Sequence, residues 1–214
     1  MPSRTSRHRP ILWIATRNRG KSREFQIMLG KGWRVLDLHA LPKMREIRET
    51  GTTFLQNAKI KALAVSRAKP DRLILADDSG LVVPSIGGKP GVRSARFSGP
   101  QATDGSNRAK LLKMLEKSQR SNRKAYFQAT LVLAQKGRIL GVRVGRVWGW
   151  ITETEQGIGG FGYDAIFQPV GYKKTFGQIA ERTKDRISHR AKAVKGIRRF
   201  LSSISNKTRL NDCI

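Results

Sequence analysis

One segment in the first half of the chain restricts the fold and the chemistry most: residues 73–97 read LILADDSGLVVPSIGGKPGVRSARF. An apolar run of strand length leads directly into Asp77 and Asp78, and the following Ser79-Gly80 is typical of a turn. Two neighbouring carboxylates at the end of a buried strand repel each other, so a divalent cation would stabilise them there. An aspartate that caps the turn is the alternative interpretation.

The charge of the chain is strongly positive, with 43 Lys and Arg residues against 15 Asp and Glu residues and a formal net charge of +28. A field of that size attracts polyanions, whether nucleic acid or free phosphates. Because carboxylates are scarce, each cluster of them is informative. The length of 214 residues is enough for one sizeable domain with a full core.

The composition also bears on location and organisation. Cys213 is the single cysteine, so an intrachain disulfide is excluded and a reducing compartment is expected. The longest apolar stretches are too short to cross a bilayer. We therefore expect a cytoplasmic protein without a membrane partner. We predict a basic disordered arm over residues 1–10, a single domain over 11–204 and a polar tail over 205–214.

Apolar periodicity predicts a mixed α/β domain. Strand-like runs at 11–16, 33–38 and 73–76 are interspersed with helical patterns at 20–29, 54–68 and 103–115. Thr52 or Thr53 is available as the N-cap of the helix over 54–68. Two alternating runs, 126–134 and 139–148, predict a hairpin around Lys136-Gly137, and an apolar stripe from Ile187 to Ile204 predicts the last helix.

A polar turn follows the first strand and leads into the first helix. The start of a helix offers unpaired N–H groups and the positive end of a dipole, so this turn is a natural phosphate cradle. Simple capping of the helix by Asn18 is the alternative. The trailing Gly-Lys-Ser is not a P-loop, because Ala15 stands where that motif needs glycine. The predicted phosphate-binding residues are Thr16, Arg17, Asn18, Arg19, Gly20 and Lys21.

An isolated acid, Glu49, lies in an otherwise cationic stretch before the helix over 54–68. Two interpretations of it are open. It is either a second ligand for a cation held by Asp78 or a surface ion-pair partner of Arg48.

A glycine-rich segment, residues 157–162, satisfies G-x-G-x-x-G but lacks the strand-turn-helix context of a dinucleotide site. We interpret it as a loop whose backbone approaches a flat ligand. Phe161 or Tyr163 would stack on that ligand and Asp164 would hydrogen-bond it. A purely structural glycine-rich turn is the alternative.

A basic segment, Lys184 to Arg190, opens the last helical stretch. Cations at the start of a helix oppose its dipole, so an anion such as a nucleotide is expected nearby. Ser188 and His189 are adjacent in sequence and therefore poorly placed to serve as nucleophile and base of a triad.

In their residues and order, these segments together resemble the inosine/xanthosine triphosphate pyrophosphatase family. The resemblance runs from about Ile11 to about Leu201 and rests on several ordered motifs. These are T-x-N-x-x-K at 16–21, E-T-G-x-T-F at 49–54 followed by Asn57-Ala58, A-D-D-S-G-L at 76–81, P-G-V-x-S-A-R-F at 90–97, G-G-F-G-Y-D at 159–164 and I-S-H-R at 187–190.

The resemblance implies a two-lobed α/β fold with a mixed sheet and a central nucleotide-binding cleft, usually in a homodimer. It implies Mg²⁺-dependent hydrolysis of ITP, dITP and XTP to the monophosphate and pyrophosphate. Asp78 would bind Mg²⁺ and accept the proton of the attacking water, with Glu49 as a further ligand. The implied nucleotide-binding residues, besides the phosphate loop, are Ser79, Phe161, Gly162, Tyr163, Asp164, Lys184, His189 and Arg190.

Several features depart from that family, among them Ala165 in place of a frequent proline and the two arginines Arg17 and Arg19 in the phosphate loop. Position 48 is Arg where many relatives have a second acid, and the net charge of +28 is unusual. The charge supports a rival hypothesis, a basic nucleic-acid-binding protein with a degenerate hydrolase site, although no helix-turn-helix, zinc knuckle or RNP-type aromatic strand accompanies it. A second rival is a related pyrophosphatase for guanine or modified pyrimidine nucleotides.

Overall fold

The computed structural model describes residues 9–117 and 122–211. The strands in that part of the chain are β1 (Ile11–Ile14), β2 (Arg34–Asp37), β3 (Leu73–Val83), β4 (Lys89–Pro90), β5 (Lys124–Gln135), β6 (Arg138–Ile151) and β7 (Phe167–Pro169). The α-helices are α1 (Arg19–Leu29), α2 (Phe54–Ala68), α3 (Asp104–Lys117), α4 (Glu181–Ile187) and α5 (His189–Asn211). The prediction of a mixed α/β domain is confirmed.

A single mixed sheet connects these elements in the order β2-β1-β3-β5-β6-β7, and β4 pairs with the far end of β3. The strands β2, β1 and β3 are parallel to each other, whereas β3, β5, β6 and β7 are antiparallel. The β5-β6 hairpin turns at Lys136 and Gly137, whose φ angles are 51° and 70°. Two successive positive φ angles are typical of a type I′ turn, so the predicted hairpin is confirmed.

The core divides along the long strands β3, β5 and β6. Near the start of β3, α2 covers one face of the sheet while α1 and α5 cover the other. Towards the end of β3, a further cluster joins β3, β5 and β6 to α3 and to the segment around β7. The strands therefore run through both lobes. Of the helices in the described part of the chain, none combines the length and apolar composition of a membrane span.

The predicted helix over 54–68 is reproduced at both ends. Thr53 is its N-cap: its hydroxyl accepts a hydrogen bond from the Gln56 N–H, and Gln56 reaches back to the Thr53 N–H. This reciprocal pair is a capping box, which satisfies two N–H groups at the helix start.

Two local predictions are wrong. Ser79-Gly80 is not a turn, because β3 continues to Val83 and pairs with β5 through both residues. The last helix is broken at Ser188, which has an extended backbone (φ −64°, ψ 161°) and whose hydroxyl accepts from the Ala191 N–H, so Ile187 ends α4. Ser188 thus caps α5 and interrupts the apolar stripe.

The terminal segments differ in how much of them is described. Helix α5 continues past residue 204 to Asn211, so its backbone enters the segment assigned to a polar tail. Residues 1–8 and 212–214 lie outside the described part of the chain. The boundaries of the arm, domain and tail therefore stay predictions.

Candidate active site

The two adjacent carboxylates of β3 lie on opposite faces of the sheet, as neighbouring residues of a strand must. Asp77 faces Lys21 of α1 and Arg190 of α5, and Asp78 faces Lys61 of α2. Both residues pair with β5, so neither caps a turn. The expected repulsion between them is relieved by geometry and by separate protein cations, not by one cation shared by both.

Asp77 is completely buried and holds the first of these ionic clusters. Its Oδ2 lies 2.9 Å from Lys21 Nζ and 3.1 Å from Arg190 Nε, and it accepts a hydrogen bond from the Ser79 hydroxyl at 3.1 Å. Burial alone would raise the pKa of Asp77, but the charges of Lys21 and Arg190 outweigh burial and lower it. Asp77 therefore stays ionised and fixes two cations at the floor of the site.

Asp78 belongs to a second cluster on the other face. Lys61 Nζ lies 3.1 Å from Asp78 Oδ1 and 3.0 Å from Glu49 Oε1, so one ammonium joins the two carboxylates. Burial would lower the pKa of Lys61, yet Asp78 and Glu49 raise it. Burial raises the pKa of Asp78, and its Oδ2 is buried without a hydrogen-bond partner. That oxygen is free to accept a proton or to coordinate a cation.

The donor set at Asp78 fits a hard cation that takes few protein ligands. No group of three or more His, Cys, Asp or Glu side chains within the described ranges is arranged to hold a metal ion. Mg²⁺ does not need such a group, because it usually takes one or two carboxylates and completes its shell with water and substrate phosphates. Asp78 Oδ2 is an unpartnered carboxylate oxygen, and Glu49 is a second carboxylate that shares the Lys61 ammonium with Asp78. These two carboxylates are enough for such a cation. Glu49 contacts Lys61 and lies 4.0 Å from Arg96, instead of pairing with Arg48.

The predicted phosphate loop starts α1 and reaches both clusters. Asn18 caps α1 by accepting from the Lys21 N–H at 3.0 Å, so the capping interpretation is correct. Thr16 Oγ1 in turn accepts from the Asn18 N–H at 3.1 Å. Arg17 donates to the Met44 carbonyl at 2.8 Å and lines the cavity beside Asp78. The loop is therefore held in shape while Lys21 points at Asp77.

A second group of buried charges lies between α1, α4 and the glycine-rich segment. Lys184 Nζ is 2.8 Å from Glu24 Oε1 and 2.6 Å from Asp164 Oδ2, and Glu24 also binds Arg190. Asp164 Oδ2 accepts from the Phe161 N–H at 2.8 Å. Lys184 Nζ lies 4.7 Å from the centre of the Phe161 ring. Asp164 thus fixes the loop and Lys184, and Phe161 is the aromatic side chain presented to the cavity.

Tyr163 and His189 are both buried, and Tyr163 is therefore a less suitable ring than Phe161 for stacking on a ligand. The Tyr163 hydroxyl donates to the Ser94 carbonyl at 2.8 Å, which fixes the ring in the core. His189 stacks on Phe127 with ring centres 4.8 Å apart, and its Nδ1 is buried without a partner. Burial lowers the pKa of His189 well below its ordinary value. The imidazole is therefore neutral and has an unused polar atom next to the cavity.

Two adjoining cavities are lined by these charged and aromatic side chains. One, of about 230 Å³, is rich in charge and includes Thr16, Arg17, Glu49, Lys61 and Asp78 in its lining. The other, of about 110 Å³, includes Phe127, Phe161, Gly162, Tyr163, Asp164, Lys184, His189 and Arg190. Lys21, Ser79 and Ala95 line both. The cavities therefore adjoin beside Ser79, next to Asp78 on β3, and together they offer an aromatic end and a charged end to a ligand.

Most of the predicted site residues are therefore brought together. Arg19 and Gly20 line neither cavity, and Arg19 is exposed on the first turn of α1. Gly20 lies against Phe161: a Cβ at Gly20 would be 3.1 Å from that ring. Lys61 and Glu24 were missed by the sequence reasoning. The spacing could have indicated Lys61, because it lies four residues after Asn57 and therefore on the same buried side of α2.

Several known proteins resemble this chain in sequence. The sequence model of the Ham1 family matches residues 12–200. A dITP/XTP pyrophosphatase of Streptococcus thermophilus (strain CNRZ 1066) is 43% identical over 203 residues, which is 92% of this chain and 61% of that protein. The chain thus spans about three fifths of the length of that relative. A dITP/XTP pyrophosphatase of Geobacillus kaustophilus (strain HTA426) is 44% identical over 182 residues, or 85% of this chain and 89% of the other.

Solved structures agree with the sequence comparison. The Ham1 protein of Staphylococcus aureus is 34% identical, has a TM-score of 0.80 and is matched over 90% of this chain and 98% of its own. The HAM1 protein of Coxiella burnetii is 31% identical with a TM-score of 0.81, over 91% of this chain and 99% of its own. With this fold, these motifs and these relatives, the chain belongs to the Ham1 family.

Proposed function

We propose that this protein hydrolyses noncanonical purine nucleoside triphosphates, namely ITP, dITP and XTP, to the monophosphate and pyrophosphate. The observation that carries the proposal is the unpartnered, buried Oδ2 of Asp78, a residue that lines a charged cavity adjoining a pocket lined by aromatic rings. The names of the relatives from Streptococcus thermophilus and Geobacillus kaustophilus support the same reaction. We further propose a cytoplasmic homodimer that cleans the nucleotide pool.

The cavities suggest how such a substrate lies. The base enters the smaller cavity, where the Phe161 ring offers a stacking surface, and the triphosphate extends into the larger one. Lys21 and Lys61 contribute positive charge on either side of β3. Arg17, Arg45 and Arg96 line the far end of the larger cavity, where the terminal phosphates would lie. These positive charges attract the phosphates and hold the phosphoanhydride near Asp78.

Asp78 and Glu49 are the side chains that would hold Mg²⁺, which when bound would offset negative charge on the triphosphate and on the leaving pyrophosphate. Asp78 is also the side chain placed to take a proton from water attacking the α-phosphorus, because its Oδ2 has no hydrogen-bond partner. The bond between the α-phosphorus and the bridging oxygen to the β-phosphorus then breaks. Lys61 holds the Asp78 carboxylate in place through Oδ1.

Base selection follows from hydrogen-bond polarity. Hypoxanthine and xanthine have a carbonyl acceptor at C6, whereas adenine has an amino donor there. A donor from Arg190 or a backbone N–H would bond the carbonyl, but would face another donor if ATP entered. An unpaired buried donor is strongly unfavourable, so ATP is rejected.

The test is pyrophosphate release from ITP, dITP, XTP, GTP and ATP, each with and without MgCl₂. We expect Mg²⁺-dependent release from the first three and a loss of about 100-fold or more in kcat for Asp78→Asn. Asp71→Asn, which removes an exposed carboxylate, is the matched control and should retain full activity.

Other outcomes separate the rival functions. Absence of release from every nucleotide, in wild type and Asp78→Asn alike, would favour the nucleic-acid-binding protein with a degenerate site. Preference for GTP or for a pyrimidine nucleotide would favour the related pyrophosphatase. Light scattering after size-exclusion chromatography tests the homodimer, and a monomer at micromolar concentration would contradict it.

A further inference from the structure

An exposed row of aromatic rings lies on the sheet outside both cavities. Tyr126 of β5 is paired with Trp148 of β6, and Lys124 is paired with Trp150. Trp148 and Trp150 are 41% and 44% exposed, whereas the intervening Gly149 is buried. Alternate residues of β6 thus send two indole rings to the outer face of the sheet.

Cations are interleaved with these rings. Lys124 Nζ lies 5.3 Å from the centre of the Trp148 ring, and the Arg146 guanidinium carbon lies 5.3 Å from the centre of the Tyr126 ring. The Tyr126 and Trp148 rings are 4.6 Å apart and tilted by 52°. We call Lys124, Tyr126, Arg146, Trp148 and Trp150 the aromatic face.

We propose that the aromatic face binds single-stranded nucleic acid. Unpaired bases stack on exposed aromatic rings, and cations beside the rings bind the phosphates that connect those bases. Duplex nucleic acid offers few free base faces to such a surface. The net charge of +28 provides the long-range attraction that brings a polyanion to the protein. This role does not depend on the proposed hydrolysis, because none of the five residues lines either cavity.

Charge complementarity favours a polyanion over a second copy of this chain on the aromatic face. A symmetric contact through this surface would bury Lys124 and Arg146 of both molecules in one interface, and the aromatic face itself contains no acid to pair with them. A nucleic-acid strand has the opposite charge along its whole length. The rings come from two strands, so the aromatic face forms only when β5 and β6 pair in this register.

The experiment measures fluorescence anisotropy of a labelled 12-nucleotide oligo-U RNA and of oligo-dT. A mixed-sequence strand is measured alone and in a duplex. Two double variants are compared with wild type: Trp148→Ser with Trp150→Ser, and Lys124→Gln with Arg146→Gln. Ile27→Ser, 44% exposed on α1, is the apolar control. Lys192→Gln, exposed on α5 against the opposite face of the sheet, is the charge control.

We expect wild type to bind the single strands more tightly than the duplex. The tryptophan variant should weaken single-strand binding by about ten-fold or more. The Lys124 and Arg146 variant should reduce the slope of log affinity against log salt by about 1.4. Both controls should bind like wild type. Pyrophosphate release from ITP and the urea midpoint should be unchanged in all variants, which separates loss of binding from loss of folding.

Three results would overturn the proposal. One is equal binding of the single strand by wild type and the tryptophan variant. Another is equal affinity for single strand and duplex. The third is a shift of the tryptophan variant from dimer to monomer in light scattering with unchanged oligonucleotide binding, which would assign the aromatic face to contact between copies of the chain.

Discussion

Replacing Lys61 by methionine perturbs the Asp78 side of the sheet with little change in side-chain length. The Lys61 and Asp78 side chains are 10% and 7% exposed, and that of Glu49 is 25% exposed. Loss of one partner of a buried ion pair costs about 3–5 kcal/mol, because the other charge is left uncompensated. The more exposed Glu49 pair adds about 0.5 kcal/mol. We therefore expect the free energy of unfolding to fall by about 3.5–5.5 kcal/mol at pH 8.

The loss should depend on pH with a definite sign. Without Lys61, burial and the charge of Glu49 both raise the pKa of Asp78 in the folded protein. A carboxyl group whose pKa is higher in the folded state than in the unfolded state loses stability as pH rises through that pKa. The difference between wild type and Lys61→Met should therefore be smaller at pH 5 than at pH 8. Added Mg²⁺ should stabilise the variant more than wild type, because both carboxylates lose their ammonium partner.

Urea unfolding followed by fluorescence is the suitable assay, since urea is uncharged and leaves the ion pairs unscreened. Lys59→Met is the matched control, because Lys59 is exposed two residues away on the same helix. A loss below about 0.5 kcal/mol, as for an ordinary surface substitution, would refute the assignment of a buried charge cluster. A loss that grows as pH falls would refute the account of Asp78.

Three further substitutions test other parts of the site. His189→Asn should remove the part of the pH dependence of stability that lies near pH 6: the folded imidazole is neutral, so protonation of the unfolded chain below pH 6.5 should cost wild type about 1.4 kcal/mol at pH 5.5. Urea titrations that show the same pH dependence in both proteins would contradict this. Gly145→Ala should destabilise the protein by about 1–3 kcal/mol, because the new Cβ would lie 2.1 Å from the His189 carbonyl oxygen. Gly141→Ala on the same strand is the control, since its Cβ would meet no atom within 4 Å, and equal thermal midpoints of the two variants would contradict the close contact between β6 and α5. Asp77→Asn should lower the free energy of unfolding by about 3 kcal/mol, because Lys21 and Arg190 lose the charge of Asp77, and Asp78→Asn should lower it clearly less. A larger loss for Asp78→Asn than for Asp77→Asn in urea unfolding would contradict the assignment of Asp77 as the structural carboxylate.

The elements with strong local signals were predictable from the sequence. The capping box of α2 and the Lys136-Gly137 turn are specified by residues within a few positions of each other. The course of β3 was not, because Asp-Asp-Ser-Gly locally favours a turn. Pairing with β5 from Ile74 to Val82 overrides that preference. Lys61 was overlooked for a related reason: a lysine beside an apolar helical stripe normally faces water, and only the tertiary fold places Asp78 and Glu49 opposite it.

The alternation of side chains along β3 explains how one short motif supplies both ends of the site. Asp77 points towards α1 and α5, where it holds Lys21 and Arg190, and Arg190 shares Glu24 with Lys184. Apart from Lys21, which is half-buried, every member of this chain of charges is buried, so the cations beside the aromatic cavity are fixed relative to the strand. Asp78, one residue later, points the other way and keeps an oxygen free. A slip of one residue in the pairing of β3 with β5 would place Asp78 among the fixed cations and Ser79 opposite Lys61, which would leave the Lys61 side without its acid. The register of a single strand pair therefore determines both the rigidity of the cavity lined by aromatic rings and the position of the carboxylate that lines the charged cavity.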